Sequence, residues 1–288
     1  MSSTFGSFNT VRLGIYAAQK GLDVTGNNIT NINTAGYTRQ RLDQVSLITS
    51  ASDRYYSPYK TRVGQGVLTT GVSQLRDPGL DIAYRNASAD VGAADAKLAG
   101  LEKLASILDE VGKGDGEQDD GVLLNQLNDL RDLINKAITS GLDSTQEGLI
   151  RASAKALCSL FNDAADKLAD MTETWETQLK DQVDTVNNIL TSLRDLNISI
   201  RDADIRGDAA LELRDQRNLL LDQLSQYMDI DVKYEMEDVG AGLMVEKMTV
   251  TLGTGGKDTL VDGKYATKLE TGDATKGYLI SLHPLQDK

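Results

Sequence analysis

From Phe8 onward the apolar or small residues fall at Phe8, Val11, Ile15, Ala18, Leu22, Thr25, Ile29 and Ile32, in alternating steps of three and four. That spacing predicts an amino-terminal helix within residues 1–36 carrying a heptad seam that lies against another helix. Gly6, Gly14, Gly21 and Gly26 sit in or beside the seam, and an interior glycine costs about 1 kcal/mol relative to alanine. A good seam on a weak helix predicts a segment that orders only when partner helices surround it. The plainer reading is an ordinary amphipathic helix on the body of its own domain. The rhythm stops at Asn31, Asn33 and Thr34, whose side chains compete with helical backbone bonds, and Gly36 is free to take positive φ. The helix should end there in a hinge, with the Tyr37 ring pointing out of the turn and Arg39 opening an extended segment.

Residues 37–76 read as a connector of short extended pieces, with Val45 and Leu47 alternating and Gly64-Gln65-Gly66-Val67 and Gly71-Val72 marking turns. A cluster of Tyr55, Tyr56 and Tyr59 within it serves either as interface anchors or as cover for the connector. Helical patterning returns over 77–228. Asp77 and Pro78 suit an N-cap and first helical position, and Leu80, Tyr84, Ala87, Val91, Ala94, Leu98, Leu101, Ala105 and Leu108 form a second seam. After a loop rich in Gly and Asp, a third helix should turn Leu124, Leu127, Leu130, Ile134 and Ile138 inward and stop at Gly141. A fourth begins at Ser144 with Glu147 in capping-box position and runs through Met171, Trp175, Val183, Leu190 and Ile200 toward Gly207, a rod of roughly 90 Å at 1.5 Å per residue. A fifth carries Arg214-Asp215-Gln216-Arg217 followed by leucines. Over 229–288 the period falls to two, as at Ile230, Val232 and Tyr234, and predicts antiparallel β structure. The fold class expected is mainly α, a long antiparallel helical bundle or coiled-coil rod with an amino-terminal helix, an extended connector and a smaller carboxy-terminal β domain that is incomplete.

Charge sharpens this division. The net charge is −13, yet the first 62 residues hold seven Lys or Arg against three Asp or Glu. A basic end is joined to an acidic body, and such a body repels nucleic acid and anionic membrane. No run approaches the roughly 18 apolar residues of a membrane span, and the first residues lack the apolar core of a cleaved signal peptide. The chemistry of catalysis is sparse. Cys158 is the one cysteine and reads as a small core residue; His283 is the one histidine and has no nucleophile or metal ligand at a useful spacing. Asp115, Glu117 and Asp119 have calcium-loop spacing, but Asp120 stands where the loop needs glycine and Gln126 where it needs glutamate. Gly253-Thr254-Gly255-Gly256-Lys257 lacks the context and the hydroxyl of a phosphate loop. No catalytic residue, cofactor or metal is expected, and an enzyme is the least favoured reading.

The run from Asn27 to Gln40, Asn-Asn-Ile-Thr-Asn-Ile-Asn-Thr-Ala-Gly-Tyr-Thr-Arg-Gln, resembles the amino-terminal signature of the axial proteins of the bacterial flagellum, the rod, hook and hook-associated proteins. The Arg214 to Ser225 block is similar to the hook-associated protein 1 family in particular, whose long-helix domain closes on such a segment; hook and rod proteins have mostly β bodies. The resemblance implies a structural subunit at the junction of hook and filament. It implies that Phe8, Val11, Ile15, Ala18, Leu22, Ile29 and Ile32 pack with equivalent helices around an axis, while Asn31, Asn33, Thr34, Gly36, Tyr37 and Arg39 set the angle of the turn. Implied partners are further copies of the chain, hook protein, the next hook-associated protein and an export chaperone. The implied location is the extracellular flagellum, reached by type III export without a cleaved signal peptide. Members of the family usually finish with a second heptad helix that pairs with the first. This sequence stops at Lys288 without one, so the expectation is either a truncated chain or one that cannot build the paired inner tube alone. A hook or rod protein, or a coiled-coil adaptor outside the flagellum, are the alternatives.

Overall fold

The computed structural model describes residues 4–47, 66–108, 121–141, 143–240, 242–253, 256, 258–272 and 280–284. The tyrosine cluster at 55–59, Gly64-Gln65 and the acidic loop up to Asp120 lie outside the described residues.

Five helices and seven strands follow in order among the described residues: α1 Thr4–Thr30, β1 Gln40–Ser46, β2 Val67–Gln74, α2 Pro78–Leu108, α3 Val122–Ser140, α4 Ser144–Ile205, α5 Leu211–Leu224, then β3 Ile230–Asp238, β4 Met244–Leu252, β5 Thr259–Asp262, β6 Tyr265–Thr271 and β7 Ile280–Pro284. The fold is mainly α with a carboxy-terminal antiparallel β part, as the change of period from helical to two predicts. The seven strands form two sheets. β1 and β2 pair antiparallel with a bulge between Asp43 and Gln44, and the other five follow one another in the order β3-β4-β5-β6-β7.

The chain divides into two compact units, one of residues 1–88, 188–268 and 283–288, the other of residues 89–187 and 269–282. In the first, the carboxy-terminal end of α4, α5 and β4–β5 supply the core: Leu190, Leu193, Ile200, Leu221, Leu224, Val245, Met248, Val250, Leu260 and Val261 are all less than 2% exposed. Such side chains contribute about 1.5–3 kcal/mol each on burial, so stability concentrates here. In the second, apolar cover is thinner. Met171, Val183 and Val186 on α4 are buried, α3 buries no residue fully, and Gly100 on α2 lies close to the Trp175 ring, where an added Cβ would stand 3.7 Å from it.

Several local expectations change. Leu124, Leu127, Ile134 and Ile138 on α3 are exposed, while Leu123, Gln126, Leu130, Leu133 and Ala137 are half-buried. The covered face is rotated by about one residue, because the Gln126 side chain donates to Ser153 on α4 and fixes which side faces inward. The N-cap of α4 is Asp143, whose carboxylate accepts from the Ser144 N–H and whose carbonyl accepts from the Glu147 N–H. Glu147 turns instead to Arg151 at 2.6 Å. Cys158 is exposed on α4. On α2 the cap forms as the sequence suggests, with Gly79 N–H donating to Asp77 Oδ1 at 2.9 Å, yet Leu80, Tyr84, Val91, Leu98 and Leu101 of the second seam are exposed.

Candidate assembly interface

Two faces of α1 behave differently. Ala17 is buried, and Thr10, Leu13, Gly21, Val24, Asn27, Asn28 and Asn31 are half-buried on the same side, which packs on the β1–β2 hairpin. Gly66, at φ +108°, brings the start of β2 to the Thr10 and Leu13 side chains. Sequence reasoning missed this flank, because Thr, Gly and Asn at helical spacing carry little apolar signal. Phe8, Val11, Ile15, Leu22, Ile29 and Ile32 are each at least 55% exposed, and Ala18 is exposed between them. The seam that the heptad spacing selects is thus an apolar stripe that no described residue covers. Together with the hairpin contact, it makes α1 a helix held on one side and bare on the other.

The turn that follows is held by side-chain amides. Asn28 Oδ1 accepts from the Gln40 N–H at 2.8 Å and from the Tyr37 hydroxyl at 2.9 Å, and its Nδ2 donates to the Gln40 carbonyl at 2.9 Å. One asparagine thereby clamps the end of α1 to the start of β1. Asn31 Nδ2 donates to Asn27 Oδ1 at 2.8 Å, while its Oδ1 accepts from the Thr34 hydroxyl at 3.2 Å. Tyr37 does not project outward. Its hydroxyl finds Asn28, so the ring folds back under the turn, where burial and the nearby Asp215 and Glu212 carboxylates raise its pKa. Gly36 adopts φ +78°, and a Cβ there would lie 3.0 Å from Leu219 Cβ. Glycine is needed twice over, for the left-handed backbone and for close approach to α5. Asn33 and Arg39 are exposed.

The Arg214-Asp215-Gln216-Arg217 block explains what α5 does for this turn. Asp215 and Glu212 face the turn: Asp215 Oδ2 accepts from the Thr38 N–H at 3.1 Å, and Gln40 Nε2 lies 3.4 Å from Glu212 Oε1. Burial first, then Glu212, raises the Asp215 pKa against the opposing bonds from Thr38 and the charge of Arg76. Arg214 and Arg217 face away, toward β4. Glu246 receives Arg214 at 2.6 Å and Arg217 at 2.5 Å, and Arg214 also reaches Asp204 on α4 at 2.9 Å. Burial pushes the Glu246 carboxyl up, but the two guanidinium groups outweigh it and hold it below the ordinary value. A third tie, Arg85 Nε to Asp222 Oδ1 at 2.9 Å, joins α2 to α5. Arg85, Asp222 and Glu246 were not singled out in the sequence, since an isolated charge in a helix or strand reads as a solvated face.

Residues 116–284, more than half of the chain, match the family model described as the flagellar hook-associated protein FlgK helical domain. The chain belongs to this family. Residues 9–38, which hold the seam and the turn, match the flagella basal body rod protein model. Flagellar hook-associated protein 1 of Bacillus subtilis (strain 168) is 30% identical over 275 residues, 92% of this chain and 52% of its own length. That of Escherichia coli (strain K12) is 24% identical over 229 residues, 79% of this chain and 39% of its own length. The chain therefore spans about half, or less, of the curated relatives it matches. The solved flagellar hook junction protein FlgK from Burkholderia pseudomallei aligns over 65% of this chain and 30% of its own, with a TM-score of 0.47 and 22% identity. Among the described residues of this FlgK family member no group of three or more His, Cys, Asp or Glu could hold a metal ion. No described helix is long and apolar enough to cross a membrane.

Proposed function

We propose that this chain is a structural subunit of the bacterial flagellum that joins hook to filament, and that it works by assembly rather than catalysis. The bare stripe Phe8, Val11, Ile15, Ala18, Leu22, Ile29 and Ile32 carries the reading. Its large side chains each contribute about 1.5–3 kcal/mol if neighbouring axial helices cover them, whereas left in water they favour self-association. The turn Asn31, Asn33, Thr34, Gly36, Tyr37 and Arg39 then sets the angle at which that helix leaves α5, and the Asn28 and Asp215 bonds support a fixed rather than a loose angle. Further copies of the chain, hook protein, the next hook-associated protein and an export chaperone are the partners this reading takes from the family, and the extracellular hook–filament junction is its location. The relatives' names, flagellar hook-associated protein 1, favour this station over rod or hook. The test is a strain lacking the protein. It should keep its hooks and shed flagellin into the medium; normal filaments on such cells refute the junction role.

A further inference from the structure

The α5 side of the turn holds a pocket that the clamp leaves unfilled. Its volume is about 180 Å³, bounded by Asn27, Asn31 and Tyr37 on one side and by Glu212, Asp215 and Leu219 on the other. A liquid water takes about 30 Å³, so the space fits the end of a side chain. Asp215 is 6% exposed. Its Oδ2 accepts from Thr38, but its Oδ1 is buried without a hydrogen-bond partner, and leaving a buried acceptor unmade costs about 1–3 kcal/mol, more for a charged group. The pocket is thus lined by two carboxylate residues, and one of them, Asp215, keeps a buried oxygen that lacks a donor.

A donor of matching chemistry stands on the opposite side of the same segment. Thr38 and Gln40 are buried while Arg39 and Arg41 are exposed, the alternation of an extended backbone. Arg39 therefore points away from the pocket of its own chain. Other basic residues described between positions 4 and 47 have local partners: Arg12 bonds Asn9, Lys20 pairs with Asp23, and Arg41 pairs with Asp43. Arg39 has none. We propose that the pocket formed by Glu212 and Asp215 receives the Arg39 guanidinium of a second copy of this chain. A planar guanidinium offers several donors at fixed angles, enough for the Asp215 oxygen and for Glu212. Donor and acceptor occupy different faces of one turn, so the contact is head-to-tail and propagates from copy to copy, as a ring or helical array requires. This deepens the self-assembly reading and rests on it.

Two measurements test it. In the monomer, methylguanidinium chloride added to the ¹⁵N-labelled chain should shift the Thr38 amide signal saturably, and Asp215→Asn, which keeps an oxygen for the Thr38 N–H, should abolish the shift. Unmoved Thr38 and Gln40 signals in that variant before addition confirm that the turn is folded. No saturable shift, or a shift given by magnesium or calcium and not by methylguanidinium, overturns the proposal. In assembly, measured by sedimentation of the full chain, Arg39→Gln and Asp215→Asn should each weaken self-association about tenfold or more, and the double variant should be no weaker than either single one. Effects that multiply, or an Arg39→Gln chain that assembles normally, overturn this proposal while leaving self-assembly standing. A chain that takes up methylguanidinium yet stays monomeric at every concentration overturns the second-copy assignment and the self-assembly reading together.

Discussion

At the scale of single residues, the turn depends on positions where only one side chain satisfies the geometry. Gly36 combines φ +78° with Leu219 Cβ at 3.0 Å from where its own Cβ would be. A left-handed backbone alone costs an L-residue about 1–2 kcal/mol, and Leu219 must also move. Gly36→Ala should therefore destabilise the chain by about 1–3 kcal/mol, read as a lower urea midpoint, with Thr38 and Gln40 amide signals shifted and those of β4 unchanged. That Gly36 ends a helix is legible from sequence, because glycine after an Asn-rich stretch has few other uses. The direction of Tyr37 is not. Its hydroxyl bonds Asn28, nine residues earlier, and nothing in the local pattern distinguishes that from a ring in solvent. Cys158 fails for a related reason: neighbouring leucines mark a helix, not which of its sides is covered.

At the scale of elements, α5 is the part on which others are hung. One side holds the amino-terminal turn through Asp215, and the other holds β4 and α4 through Arg214 and Arg217 on Glu246 and Asp204. Removing the half-buried Glu246 carboxylate leaves the buried Arg217 guanidinium undercompensated while Arg214 keeps Asp204, so Glu246→Gln should cost about 1–3 kcal/mol in urea unfolding at neutral pH. The two carboxylates on either side predict opposite pH responses. Glu246 has a depressed folded-state pKa, so its contribution is present above the ordinary carboxylate value and is lost as pH falls through the depressed one. Asp215 has a raised pKa, so it lowers stability as pH rises from its ordinary value through the raised one. The Glu246→Gln chain should consequently lose less stability than the parent on acidification, and a parallel loss in both would exclude Glu246 as a source of the acid response. The Arg214–Arg217 block was visible in the sequence as a signature, but its partners were not, since Asp204 and Glu246 meet it only after α4 and β4 pack.

Across the whole molecule, hydrophobic period was enough to give the succession of helices and then strands, since steps of three and four or of two need no knowledge of tertiary contacts. It was not enough to say what each stripe faces. The seams of α1 and α2 are equally regular, and their large side chains from Phe8 to Ile32 and from Leu80 to Leu101 are exposed, whereas the covered flank of α1 is made of Thr10, Leu13, Ala17, Gly21 and Asn28, mostly small or polar residues that a search for apolar spacing passes over. A helix held on one side by a hairpin and bare on the other has much of its interaction energy in contacts with other molecules. The most direct test is amide hydrogen exchange on the isolated chain and on its assembled form. In the monomer α1, covered only by the hairpin, should exchange faster than residues 190–224, and residues 8–32 should gain protection upon assembly. Equal exchange over 8–32 in the two forms would contradict the assembly role of α1.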